Sequence, residues 1–159
     1  MSQFEQILTE GLTQLREDII QSSKDAGQEA SGRTYENITQ EVRDNAGAVY
    51  APSYFHVLLR GRGAGKIPAN MVDLIKDWAT NKGITFSDEK QFLRFCRAVA
   101  FTIKREGSEL YRNHMYVDII DTPVRKFEEQ LDARITGLFD AEITKTLFPE
   151  GTTPQGYII

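Results

Sequence analysis

Apolar residues recur every three or four positions through the first part of the chain. Phe4, Ile7, Leu8, Leu12, Leu15, Ile19 and Ile20 fall on one face, which predicts an amphipathic helix from about residue 2 to about residue 25. Gly11 interrupts the composition of that helix without breaking its period, and the polar stretch 21–32 is expected to fray or end it. Between residues 33 and 52 the period shortens. Ile38, Gln40 and Val42 alternate, Asp44-Asn45-Ala46-Gly47 reads as a turn, and Ala48 to Ala51 resumes extended, together a hairpin closed by Pro52. An apolar-aromatic run, Tyr54 to Leu59, then leads into a Gly-rich basic loop, Arg60-Gly61-Arg62-Gly63-Ala64-Gly65-Lys66, which is expected to be flexible.

Pro68 suits the first turn of a short helix reaching Asn81, with Met71, Leu74, Ile75 and Trp78 as its buried face and Gly83 as its stop. Ile84 and Phe86 continue extended. Ser87 is the expected N-cap of the next helix, whose inner face is Phe92, Phe95, Cys96, Val99 and Ile103. Residues 116–120 permit a short strand. A last helix begins at Thr122-Pro123, with an apolar stripe of Val124, Phe127, Leu131, Ile135, Leu138, Phe139 and Ile143. These elements predict an α+β fold, with long amphipathic helices on a small antiparallel sheet. Residues 1–147 form one domain on this reading, and residues 148–159 an extended C-terminal arm. Two prolines and two glycines in that arm oppose regular structure, yet it carries Phe148, Tyr157, Ile158 and Ile159.

Composition narrows the class. The chain has 159 residues, 40% of them apolar and 26% charged, which suits one globular domain. Its net charge of −4 argues against a surface built throughout to hold nucleic acid. The charge is divided, however: residues 1–31 are acidic, and the loop 60–66 carries Arg60, Arg62 and Lys66 with no acid. The single cysteine, Cys96, forms no internal disulfide and permits a reducing compartment. No apolar run approaches the ~20 residues that span a bilayer. The opening residues lack the basic and then apolar pattern of a secretion signal, so the chain is expected to stay where it is made unless it leaves within a particle.

The chemistry of a site does not emerge from these residues. Gly65-Lys66 has Arg60 where a phosphate-binding loop of the Walker type needs glycine, and Ile67 where it needs Ser or Thr. A dinucleotide fingerprint from Gly61 fails at Lys66. His56 and His114 are far apart in sequence, and Cys96 lies on an apolar helix face, so neither a zinc set nor a nucleophile with its base is evident. His114 stands near Asp118 and Asp121, a carboxylate-rich neighbourhood. Glu128, Glu129 and Asp132 alternate with Arg125, Lys126 and Arg134, as on a solvated salt-bridge surface. The expectation is a non-enzymatic protein with no catalytic residues, metal or cofactor. The basic loop admits three roles: a solvated loop, contact with phosphates, or contact with the acidic first helix of a neighbouring copy.

The stretch from Tyr54 through Arg60-Gly61-Arg62-Gly63-Ala64-Gly65-Lys66-Ile67-Pro68, running into Ile75, Trp78, Lys82, Gly83 and Ile84, resembles the tail-completion and head–tail joining proteins of tailed phages. The resemblance implies a structural virion protein of the neck or tail, made in the host cytoplasm. Copies would form a sixfold or twelvefold ring that joins head to tail and continues the DNA channel. Its partners would be other copies, the portal or adjacent neck and tail proteins, and genomic DNA without sequence preference. In that setting Arg60, Arg62 and Lys66 would face the lumen or a neighbouring subunit. Tyr54 and Phe55 would anchor the loop or the interface, and Phe148, Tyr157, Ile158 and Ile159 would dock on another subunit. The alternative, from a different class, is a small nucleic-acid-binding regulator using the loop 60–66.

Overall fold

The computed structural model describes residues 2–28 and 32–147. It is mostly helical, with a small two-stranded antiparallel sheet. Helix α1 (Gln3–Asp25) starts at a reciprocal cap: the Ser2 hydroxyl accepts from the Glu5 amide, and the Glu5 carboxylate accepts from the Ser2 amide. Leu8, Leu12, Leu15, Ile19 and Ser23 form its buried line. The helix ends within the polar stretch, at Asp25, as expected. Ser23 turns inward, 3.1 Å from the Tyr35 hydroxyl, and the buried hydrogen bond carries the helix on to Asp25. Tyr35 itself is placed by the short helix α2 (Arg33–Glu36).

Strands β1 (Thr39–Arg43) and β2 (Ala46–Tyr50) form the hairpin, pairing Thr39 with Tyr50 and Arg43 with Ala46. The turn is tighter than the polar cluster suggests. Asp44 and Asn45 alone bridge the strands, at φ 51° and 61°, the left-handed pair that matches strand twist. Ala46 and Gly47 are therefore paired strand residues. Gly47 leaves room for Leu12 of α1, whose side chain occupies the space a Cβ would need.

A 3-10 turn (Ser53–Phe55) runs into α3 (His56–Arg60), so the apolar-aromatic run is helical. Helix α4 (Met71–Asn81) begins three residues after Pro68, whose carbonyl accepts the Met71 amide in a preceding turn. Helix α5 (Glu89–Glu106) is capped by Asp88, not Ser87; the Asp88 carboxylate accepts the Lys90 amide. A short helix α6 (Glu109–Arg112) follows, then α7 (Asp121–Leu147). Residues 116–120 form no strand. The Val117 amide bonds to the Leu59 carbonyl at the end of α3, no strand lies beside the segment, and Asp118 turns to bond the Thr122 amide and hydroxyl at the start of α7.

Two clusters hold these elements. The first joins Leu12, Leu15 and Ile19 of α1 to Tyr35, Ile38, Phe55 and Ile119, with Val124 and Phe127 of α7 packed against it. The second is Ile75 against Cys96 and Ala100, flanked by Met71, Phe92, Phe95, Val99 and Ile103. Burying each large aliphatic side chain here contributes about 1.5–3 kcal/mol. The α4 face differs from the predicted one. Ile75 and Ala79 are its buried pair, whereas Leu74 and Trp78 remain 42% and 41% exposed. Ile75 meets the small residues Cys96 and Ala100 of α5, Ala79 is buried on the same helix as Ile75, and the bulky pair is left at the edge.

Candidate interaction surfaces

The basic loop sits where α3 ends and α5 gives way to α6. It is pinned, contrary to the flexibility its glycines suggest. The Arg62 amide donates to the Ser108 hydroxyl and the Ser108 amide to the Arg62 carbonyl, both at 2.8 Å. The Gly65 amide donates to the Lys104 carbonyl at 2.9 Å. The glycines permit this closeness. A Cβ on Gly63 would stand 3.3 Å from the Tyr111 ring, and Gly61 (φ 76°) has the Ser108 hydroxyl where its Cβ would be. Glycine here serves close backbone approach.

The three cations occupy different settings. The Arg60 guanidinium lies 5.6 Å from the centre of the Tyr116 ring. The Tyr116 hydroxyl donates to Asp121 at 2.7 Å, and that bond, with desolvation, pushes its pKa above the usual phenol range. Arg62 is half-buried and donates to the Lys66 carbonyl at 3.0 Å. Lys66 is exposed. The aromatic pair divides as well: Tyr54 is 49% exposed, but Phe55 is 5% exposed and belongs to the first core, so Phe55 holds the segment from within and presents no ring to a partner. Phe148, Tyr157, Ile158 and Ile159 lie outside the described residues.

The acids of α1 are partly engaged within the chain. Asp18 accepts from Lys126 at 2.7 Å and Glu10 from Arg134 at 2.6 Å, both across to α7. Lys126 and Arg134 therefore lie along the α1–α7 seam and are not purely solvated. The carboxylates near His114 are also committed: Asp118 to Thr122, Asp121 to Tyr116. The hydrogen bonds from the Thr122 side chain and amide hold the Asp118 carboxyl below its usual range. His56 bonds the Ser53 carbonyl at 2.7 Å through Nδ1. Cys96 is fully buried, and desolvation raises its thiol pKa. Among the described residues no cluster of three His, Cys, Asp or Glu is close enough to hold a metal ion, and no helix is long and apolar enough to cross a membrane.

No family model, no curated protein and no solved structure matches this chain.

Two further surfaces stand out, and sequence periodicity assigned both to the interior. One is a groove of about 700 Å³ between α4 and α5, with Ile75, Val99 and Ile103 inside and Leu74 and Trp78 among its lining. Arg62, Glu109 and Arg112 also line it. The other is the C-terminal part of α7, where Phe139, Ile143 and Leu147 are 59%, 54% and 65% exposed. The seam explains the exposure of Ile143 and Leu147 on the second. A step of eight residues from Lys126 to Arg134 on α7 matches a step of eight from Asp18 back to Glu10 on α1. Continued at that pace, Gln3, the first residue of α1, lies opposite Ala141. Beyond it α7 has no α1 to pack against. The small residues of the α4–α5 contact were the available sign of the first surface, and the greater length of α7 was the sign of the second.

Proposed function

We propose that this chain is a structural virion protein of a tailed-phage neck or tail, one subunit of a homo-oligomeric ring that joins head to tail and continues the DNA channel. The observation that carries this reading is the pair of bare apolar surfaces, the end of α7 and the α4–α5 groove. Exposed apolar faces of this kind favour assembly with a neighbour. Two different faces on one subunit suit head-to-tail contacts, which close into rings when the rotation allows. The phage setting rests on the resemblance of the segment from Tyr54 to Ile84.

On this reading Arg60, Arg62 and Lys66 face the lumen or an adjoining subunit, with Tyr54 beside them and Phe55 anchoring the loop from inside. The residues 148–159 dock on another copy. Partners are other copies, the portal or adjacent neck and tail proteins, and genomic DNA met without sequence preference; no catalysis is involved. The protein is made in the host cytoplasm and ends in the virion.

The test is the copy number of this chain in purified phage particles, by quantitative mass spectrometry against the portal protein. A small fixed ratio is expected, as a sixfold or twelvefold ring requires; absence from particles overturns the reading. Replacing Arg60, Arg62 and Lys66 together by Ala is expected to preserve the fold and impair assembly or genome retention. Salt-dependent DNA binding by an isolated monomer would instead favour a nucleic-acid-binding regulator.

A further inference from the structure

We infer that the C-terminal end of α7 seats in the α4–α5 groove of the next copy, so that neighbouring subunits join by a ridge-into-groove contact. The inference rests on the ring reading above and names the surfaces that make the ring.

The ridge is defined by spacing. Phe139, Ile143 and Leu147 stand four residues apart, so they form one line along the helix. From first to last they span about 12 Å at 1.5 Å per residue. The groove runs beside α4, whose eleven residues extend about 16 Å. A row of side chains four apart is the natural insert for the furrow between two packed helices.

Charge favours the same match. Asp140 and Glu142 flank the ridge, with Lys145 as the one base in that stretch. Arg62 and Arg112 line the groove, with Glu109 as the acid among its lining, and Arg112 shares Glu106 with Arg105, so the cations there still outnumber the acids by one. The excess is negative on the ridge and positive on the groove. Both halves belong to the same chain, and neither is covered within it among the described residues. That makes a second copy the fitting occupant. Ridge and groove are different surfaces, so each subunit uses one of each and the contact propagates around a ring.

The area is modest. Three apolar side chains bury less than a standard stable interface. Assembly is therefore expected to depend on concentration and to gain from ring closure.

The experiment uses the full chain with Leu74→Cys and Ile143→Cys, singly and together, under a mild oxidant; Cys96 stays as it is, being buried. The double variant is expected to give a ladder of disulfide-linked multimers ending at the ring, and each single variant none. Self-linking of Ile143→Cys alone would mean that α7 pairs with α7, and overturns the inference. So does a double variant without a ladder. The ladder should survive truncation after Leu147; its loss there would make residues 148–159 the occupant and overturn the assignment to α7. Ile143→Asp should raise the concentration for half-assembly at least about tenfold, since it removes one buried aliphatic side chain; unchanged assembly counts against the contact. A ladder from a chain absent from phage particles would keep this contact and discard the neck reading. A fixed copy number in particles without a ladder would do the reverse.

Discussion

The hydroxyls of Ser23 and Tyr35 lie 3.1 Å apart in the interior, where Ser23 is wholly shielded from water. Ser23 belongs to α1 and Tyr35 to α2, so one polar contact sets the chain's path after its first helix. Either substitution, Ser23→Ala or Tyr35→Phe, leaves one buried hydroxyl without its partner. Each is expected to cost about 1–2 kcal/mol, and the double variant less than the sum. Urea denaturation of the four proteins checks this; strict additivity would show that the bond carries no coupling.

Gly107 closes α5 at φ 87°, and a Cβ there would stand 2.7 Å from the Tyr111 ring and 2.8 Å from the Arg62 carbonyl. Gly107→Ala therefore combines backbone strain with a clash against main chain. A loss of about 2 kcal/mol or more is expected. The basic loop should loosen with it, which limited proteolysis at Arg60 and Arg62 would detect as faster cleavage.

The α1–α7 seam should respond to acid. Burial pushes the Asp18 carboxyl up, but the bonds from Lys126 and Gln14 and the lysine charge outweigh it and leave the group below its usual range. Glu10 is also held low, first by the Gln6 bond and then by Arg134. A carboxyl lowered in the folded state stabilises above its unfolded pKa, and the effect is lost as pH falls through the folded value. With unfolded values of about 3.9 for Asp and 4.3 for Glu, the contribution is whole above roughly pH 5 and wanes below 4. For Asp18, whose partner is half-exposed, it is about 0.5–1 kcal/mol. Thermal melts from pH 7 to pH 3 should be flatter for Asp18→Asn, and 1 M salt should shrink the difference.

Ile75 and Trp78 stand on the same helix, and the larger side chain should matter less to folding. Ile75→Ala opens a cavity against Cys96 and is expected to cost about 2–4 kcal/mol. Trp78→Ala should cost about 1 kcal/mol, because the residue lies at the rim of the groove with 41% of its surface open to water. Trp78 is also the sole tryptophan, so its fluorescence in the dilute protein should be that of a partly hydrated indole. Equal losses from both substitutions would place Trp78 in the core.

Much of the secondary structure was legible because it rests on local rules. The α1 stripe, the hairpin, the Gly83 stop and the α5 face all follow from period and punctuation. The misreadings share a cause, which is tertiary context. Periodicity identified an apolar face on α4 but not where its centre lay; the buried pair is Ile75 and Ala79, with Ile75 against Cys96 and Ala100, and Leu74 and Trp78 fall at the edge. The α7 stripe is real along its whole length, but whether α1 covers it depends on the relative lengths of two helices far apart in sequence. Glycines in the loop 60–66 read as freedom, although the close approach of Ser108 and Tyr111 makes them a condition of tight packing. The surface cations were visible as residues, while the aromatic ring under Arg60 and the carbonyl facing Arg62 were not.

The seam between α1 and α7 joins residues 108 and 124 positions apart, at Asp18–Lys126 and Glu10–Arg134. A ribosome adds roughly 5–20 residues per second, so α1 is made roughly 5–25 seconds before its partner helix. Throughout that interval Leu12, Leu15 and Ile19 have the hairpin, Tyr35, Ile38 and Phe55 to pack on, but not Val124 and Phe127 of α7, whereas α4 and α5 are made within a few seconds of each other. The side of α1 that α7 covers therefore stays open to water until α7 is made, and the seam is the last contact of that helix to form.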